Sequence, residues 1–306
     1  MKNFYQKKIL IIKFGGLGDF FLSLNPFYTI RKSHSKDHII LLTQKPYNQI
    51  AKKTGWFDEI LIIKRSVFYF LDVISIMKKI NVDKIERVYD LQTSNRSSSY
   101  FRIFKNFNTE WSGIAKDCSH PHSNPLRNQM HSLDRFNDQL KYAGLSPSAQ
   151  PSLNWILGEK FFTYKNYSLI VPGGSAKRQY KRLPKSFFNQ IISNLIKKNI
   201  QPILIGADDE LKLCYDLEKN NPSIVNLCSK LNIFDLAKLA YNSRIIFGND
   251  TGTMHMFAML NCNIVSLFTK HTNPKLCAPI GKKVKIINVE SLDESTKSII
   301  KIINNC

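Results

Sequence analysis

Short unbroken apolar runs alternate along the chain with stretches in which apolar residues recur every three or four positions. The runs KILIIKF (8–14), HIILLT (38–43), EILIIK (59–64) and IERVYDLQ (85–92) have the length and β-branched content of strands buried on both faces. Between them, GGLGD leads into an amphipathic segment ending near His34, and 67–80 has helical spacing. The rhythm restarts with YSLIVPGGS (167–175), QPILIGA (201–207), RIIFGND (244–250) and NIVSLF (263–268). Helical patterns separate these at 185–198, 209–219, 232–241 and 251–260, and a last one covers 291–304. Strands alternating with helices predict an α/β chain with parallel sheets. Residues 106–130 break the pattern: loop composition without a period predicts a functional loop or lid. A helix from His131 to Ala143 follows, and GLSPSAQPS (144–152) reads as a linker. The economical architecture is two Rossmann-like domains, 1–150 and 151–306, with parallel sheets facing across a cleft. Ligands would bind beyond the C-terminal ends of the strands, and the C-terminal helix can pack back on the first domain.

A length of 306 residues suits two domains, and 43% hydrophobic with 22% charged residues is ordinary for a globular protein. The net charge of +21 is not ordinary. It divides almost evenly between the halves and forms no basic tail, which favours attraction to anionic surfaces or substrates over a dedicated nucleic-acid patch. Solvated lysine-rich faces account for it equally well. The six cysteines form no C-x-x-C pair and read as reduced thiols. Cys118, His120 and His122 have metal-ligand spacing but lack a second ligand cluster. The longest apolar stretch, VFYFLDVISIM (67–77), contains Asp72 and is too short to span a bilayer. The expectation is a cytoplasmic protein that can lie peripherally on the inner face of a membrane.

Four turns carry candidate chemistry. FGGLGD (14–19) follows the first strand, with Gly15, Gly16 and Gly18 allowing close backbone approach and Asp19 at a helix start. It is neither G-x-G-x-x-G nor a phosphate-binding P-loop, which argues against a dehydrogenase. VPGGSAKRQYKRLPKSF (171–187) offers donors from Gly173, Gly174 and Ser175 and cations from Lys177, Arg178, Lys181 and Arg182, a set suited to a phosphorylated ligand or to a solvated loop. GADDE (206–210) places carboxylates where a ribose diol can bind. In FGNDTGTMHMF (247–257), Asp250 as N-cap would leave the N–H groups of Thr251, Gly252 and Thr253 unpaired. Those N–H groups suit phosphates, and the carboxylate suits sugar hydroxyls. His255 lies one turn after Thr251, where it can brace the loop, reach the phosphates or simply be buried.

Taken in order, ILIIKFGGLGDFFLSLNP, DLQTSNRSSSY (90–100), HSLDRFNDQLKYAGL (131–145), VPGGS…KRLPKSFF, GADDE and FGNDTGTMHMFAMLNCNIVSLF resemble glycosyltransferase family 9, the ADP-heptose:lipopolysaccharide heptosyltransferases. The resemblance implies a GT-B fold whose N-terminal domain holds the acceptor and whose C-terminal domain holds the nucleotide-sugar. It implies inversion at the anomeric centre with neither metal nor cofactor. Asp19 would be the base. Ser175, Lys181 and the N–H groups of Thr251 and Gly252 would hold the diphosphate. Glu210, or its neighbour Asp209, would bind the ribose, and Asp250 the transferred sugar. Partners would be ADP-heptose, an anionic inner-core glycolipid and the inner-membrane surface, without nucleic acid. Two departures stand out: Leu183 replaces a frequent tryptophan, and FTKHTNP (268–274) is one residue longer than the family's loop. Alternatives are another nucleotide-sugar or surface glycan on the same fold, or a non-catalytic basic protein that binds nucleic acid or anionic membrane.

Overall fold

The computed structural model describes residues 6–105, 107–174 and 176–305. The chain divides into two compact units, Met1–Pro151 and Ser152–Cys306. The first unit has strands β1 (Lys8–Ile12), β2 (His38–Thr43), β3 (Glu59–Ile62), β4 (Arg87–Asp90), β5 (Glu110–Gly113) and β6 (His120–Pro121). They form one sheet in the order β3-β2-β1-β4-β5-β6. The second unit has β7 (Tyr167–Val171), β8 (Gln201–Leu204), β9 (Val225–Asn226), β10 (Ile246–Asn249), β11 (Ile264–Thr269) and β12 (Val284–Val289), in the order β12-β11-β10-β7-β8-β9. Every pairing is parallel. Both sheets share the doubly wound order, so each has a switch point where the strand sequence reverses: β1 beside β4, and β7 beside β10.

The central strands are the ones whose sequences read as continuous apolar runs. Leu10 stands opposite Ile40 and Val88, and Phe247 opposite Ile170 and Val265. Helices cover these strands, so side chains on both faces are lost to solvent. Leu183, at the position where tryptophan is frequent, is buried in the second core beside Phe187 and Phe188.

One expectation changes. Residues 107–130 are not a structureless loop, because β5, β6 and a 3-10 turn at Arg127–Gln129 lie within them. These strands are too short to display a period, yet β5 pairs with β4 and Trp111 on it is fully buried. The C-terminal helix, Leu292–Asn304, spends its apolar face on the second unit: Ile299 and Ile303 enter the same core as Phe188 and Ile192. Among the described residues, no helix is long and apolar enough to cross a membrane.

Candidate active site

In the first unit, the turn after β1 runs into the helix Leu17–Leu22, with Gly16 as N-cap, Gly18 buried and Asp19 exposed in the first turn. The glycines there do not use positive φ, which occurs among described glycines only at Gly55 and Gly144. Space is the constraint at Gly15, where a Cβ would lie 2.6 Å from the Tyr47 ring. Burial raises the Tyr47 hydroxyl pKa, and the negative charge of Asp19 adds to the rise.

Beneath Asp19 lies a pair of buried charges that the motif reading did not select. Lys13 ends the strand run and is 3% exposed, with its ammonium 3.4 Å from the Leu91 carbonyl and 4.7 Å from the Phe136 ring centre. Burial lowers its pKa to about 8, against the opposing pull of Asp19 and Asp90. Asp90 ends β4, is fully buried and is pushed up to about 6 by that burial. Its Oδ1 accepts the N–H groups of Gln92 (3.1 Å) and Thr93 (3.0 Å), which shapes the turn after β4. Gln92 in turn accepts Phe14 N–H at 3.0 Å, joining the two turns at the switch point. The signal was present in the sequence: a lysine closing an otherwise apolar strand is costly unless the fold employs it.

In the second unit, the three other candidate turns come together around the β7/β10 switch point. Glu210 is buried and bridges two turns, accepting Gly174 N–H at 2.9 Å through Oε1 and Ala207 N–H at 2.6 Å through Oε2. Burial raises its pKa, and those two N–H groups work against the rise. Gly173 has no alternative there, because a Cβ would lie 2.1 Å from Glu210 Cγ. Asp209 is the more exposed carboxylate, with Arg182 at 3.6 Å; Arg182 also donates to the Gly174 carbonyl.

Lys181 and Asp250, 69 positions apart, form an ion pair of 2.5 Å with side chains 12% and 7% exposed. Asp250 is not the N-cap. Thr251 is, so the helix opens at Gly252 and Thr253, and the next N–H, of Met254, donates back to Thr251 O at 3.2 Å. The cap falls there because Asp250 still belongs to the sheet, donating its N–H to Leu267 O at 3.1 Å. His255 is buried in the same helix. Asn249 is a further residue the motif reading missed; its amide donates to the carbonyls of Pro172 (2.7 Å) and Gly173 (3.1 Å) and pins the glycine turn to β10. The loop at 268–274 reaches the Lys181 segment through Thr269 Oγ1, which donates to Tyr180 O at 3.2 Å, and through an edge contact of Tyr180 with His271. Ser175 lies outside the described residues.

The histidines considered for a metal have other partners. His122 meets Asp138 at 2.9 Å and accepts from Arg127, while His120 contacts Ser119 and Arg87.

Comparison with known proteins converges on one group. A family model described as glycosyltransferase family 9 (heptosyltransferase) matches residues 73–303. Lipopolysaccharide heptosyltransferase 1 of Campylobacter coli is 22% identical over 94% of this chain and 93% of its own length. Among solved structures, E. coli ADP-heptose lps heptosyltransferase II superposes with a TM-score of 0.75 at 17% identity, covering 97% of this chain and 98% of that one. E. coli heptosyltransferase WaaC with ADP superposes with a TM-score of 0.76 at 15% identity, covering 97% and 99%. These likenesses show a GT-B fold.

Proposed function

The chain belongs to glycosyltransferase family 9 and is a transferase of that family; from this premise we propose that it moves a heptose from ADP-heptose to an anionic inner-core acceptor of lipopolysaccharide. The first unit would hold the acceptor and the second the nucleotide-sugar. In this reading the acceptor hydroxyl attacks the anomeric carbon from the face opposite the diphosphate. Asp19 takes the hydroxyl proton as the new glycosidic bond forms. The bond from the anomeric carbon to the diphosphate oxygen breaks, ADP leaves with the electron pair, and the anomeric configuration inverts.

The observation that carries the donor assignment is the Lys181–Asp250 pair at the start of the Gly252–Met259 helix. A nucleotide-sugar is well served by a cation at its β-phosphate and by an acceptor of hydroxyl hydrogens on the adjoining sugar. Lys181 and Asp250 supply these two chemistries side by side. The N–H groups opening the helix add donors for the phosphates. Together they can compensate the leaving diphosphate electrostatically in a poorly solvated site, without a metal. Glu210 or Asp209 would take the ribose, and the likeness to E. coli ADP-heptose lps heptosyltransferase II and to E. coli heptosyltransferase WaaC with ADP supports the adenine nucleotide.

Thermal unfolding with ADP, ADP-heptose, UDP, GDP and NADH tests this reading, for wild type and Asp250→Ala. A ligand at 100 times its dissociation constant adds about 2.7 kcal/mol. ADP should stabilise both proteins, and ADP-heptose should add a further increment in wild type alone. Stabilisation by another nucleotide in place of ADP would favour a different donor, the second reading, which the lengthened 268–274 loop against Tyr180 supports. No response to any nucleotide would defeat the donor assignment.

A further inference from the structure

The helix Tyr69–Lys79 of the first unit is apolar on two faces. Its inner face is fully committed. Ile76, with Ile80 just beyond the helix, enters the core, and Tyr69 stacks on Tyr100 with ring centres 5.7 Å apart. Asp72, 2% exposed, accepts Ser66 N–H at 2.8 Å, Arg96 Nε at 2.8 Å and the Tyr100 hydroxyl at 2.6 Å. The rotation of this helix is therefore fixed.

That fixed rotation turns a second apolar stripe to solvent. Phe70, Leu71, Ile74 and Met77 are 57%, 44%, 45% and 57% exposed, and Val67 and Phe68 lead into them at 92% and 62%. Within the helix, positions 70, 74 and 77 follow the three-and-four spacing of one face, with Leu71 beside them. Scattered exposed apolar residues are normal, but a contiguous stripe marks an interaction surface. Beside it lies an apolar hollow of about 390 Å³ between Tyr69, Val73, Met77, Val82, Ile103 and Phe107. The surrounding charge is one-sided. Lys64, Lys78, Lys79, Lys84, Arg102 and Lys105 are exposed across 64–105, whereas Asp83 is the one exposed carboxylate among the described residues of that stretch.

We propose that this face seats the protein on an anionic lipid bilayer. The stripe enters the headgroup–acyl boundary, the hollow admits the end of an acyl chain, and the flanking cations meet lipid phosphates. Apolar area and basic residues are the two ingredients of interfacial binding, and neither suffices alone. The inference rests on the lipid-linked acceptor proposed above only for its purpose, since an enzyme seated on the bilayer meets such an acceptor in two dimensions.

Cosedimentation of the full chain with vesicles tests it, and no turnover is needed for the readout. Vesicles of equal phosphatidylglycerol and phosphatidylcholine should retain the wild type, and pure phosphatidylcholine should not. Ile74→Ser with Met77→Ser should lower partitioning by roughly tenfold or more, given the apolar burial each loses. Its melting temperature should match wild type, because both side chains point outward. A Phe70→Trp reporter should shift its emission to the blue when anionic vesicles are added. Unchanged partitioning of the double variant, or a wild type left in the supernatant, would overturn the proposal. So would a wild-type dimer in analytical ultracentrifugation that the same variant dissolves, which would assign the stripe to a second copy of the chain. Failure of the nucleotide experiment above would leave the vesicle result standing.

Discussion

Gly173→Ala probes whether the glycine turn after β7 is built around Glu210. The new Cβ would lie 2.1 Å from Glu210 Cγ and 2.3 Å from Cδ, distances that no adjustment of a methyl relieves. The Glu210 side chain must leave, and leaving breaks its bonds from Gly174 N–H at 2.9 Å and Ala207 N–H at 2.6 Å. Hydrogen bonds to a charged group contribute about 1.5–3 kcal/mol each, and one of the stranded donors sits in a buried turn. Against this, replacing glycine narrows the unfolded ensemble, worth about 0.4–1 kcal/mol. The net expectation is a destabilisation of about 2–4 kcal/mol. Urea unfolding of wild type, Gly173→Ala, Glu210→Ala and the double variant forms a closed cycle. In the double variant the methyl occupies space the carboxylate has vacated, so adding Gly173→Ala to Glu210→Ala should cost under about 0.5 kcal/mol. Simple additivity of the two single effects would refute the reasoning, because it would mean that the cost of the methyl does not come from displacing Glu210.

Asp19→Asn should lower turnover by about 10²–10⁴-fold while ADP binding measured by calorimetry stays within error, as expected for loss of a general base; equal weakening of ADP binding would place Asp19 elsewhere in the scheme. Lys181→Met should weaken ADP by roughly 10–100-fold, the value of a charge-assisted contact of about 1.5–3 kcal/mol. Asn249→Ala should destabilise the second unit by about 1–3 kcal/mol through the freed Pro172 and Gly173 carbonyls, read in the same urea experiment. For Asp90 the folded pKa of about 6 exceeds its ordinary 3.8, so the folded state holds the proton more tightly than the unfolded one. Its contribution is complete below pH 4 and is lost as pH rises through 6, a span of up to about 3 kcal/mol. Asp90→Asn, which keeps Oδ1 for the Gln92 and Thr93 N–H groups, should flatten stability across that window.

Legibility followed element length and burial. β1, β2, β7, β10 and β11 lie in sheet interiors and read as continuous apolar runs, so their existence and parallel arrangement were visible in sequence. EWSG, HP and VN, which form β5, β6 and β9, hold too few residues to display any period; neighbouring backbone recruits them. β12, VKIINV, escaped because Lys285 and Asn288 interrupt its apolar residues at a sheet edge, so it shows neither an unbroken run nor a strict alternation. The motifs placed Lys181, Glu210 and Asp250 on facing turns, but their spacing could not show that Lys181 and Asp250 pair or that Glu210 ties two turns together. The cap position shifted by one because a strand hydrogen bond from Asp250 N–H outlasts the sequence pattern of the strand. Asn249 and Asp90 were missed for a common reason: a polar residue at a strand's C-terminal end looks like the start of a loop until its buried partners are known.

The two switch points share a topology and differ in which charges meet water. In the first unit Lys13 and Asp90 are buried and Asp19 is exposed. In the second unit both members of the Lys181–Asp250 pair are nearly withdrawn from solvent. The proposed roles require that difference. A base must hand its proton on after each turnover, so it belongs where water can reach it. Groups that stabilise a departing diphosphate act through fields, and a field is stronger where water is excluded. Exchanging the two environments would impair both tasks: a buried base would retain its proton, and a solvated lysine would be screened from the phosphate. The exposure of each residue thus supports the roles proposed for Asp19 in proton transfer and for Lys181 in charge compensation.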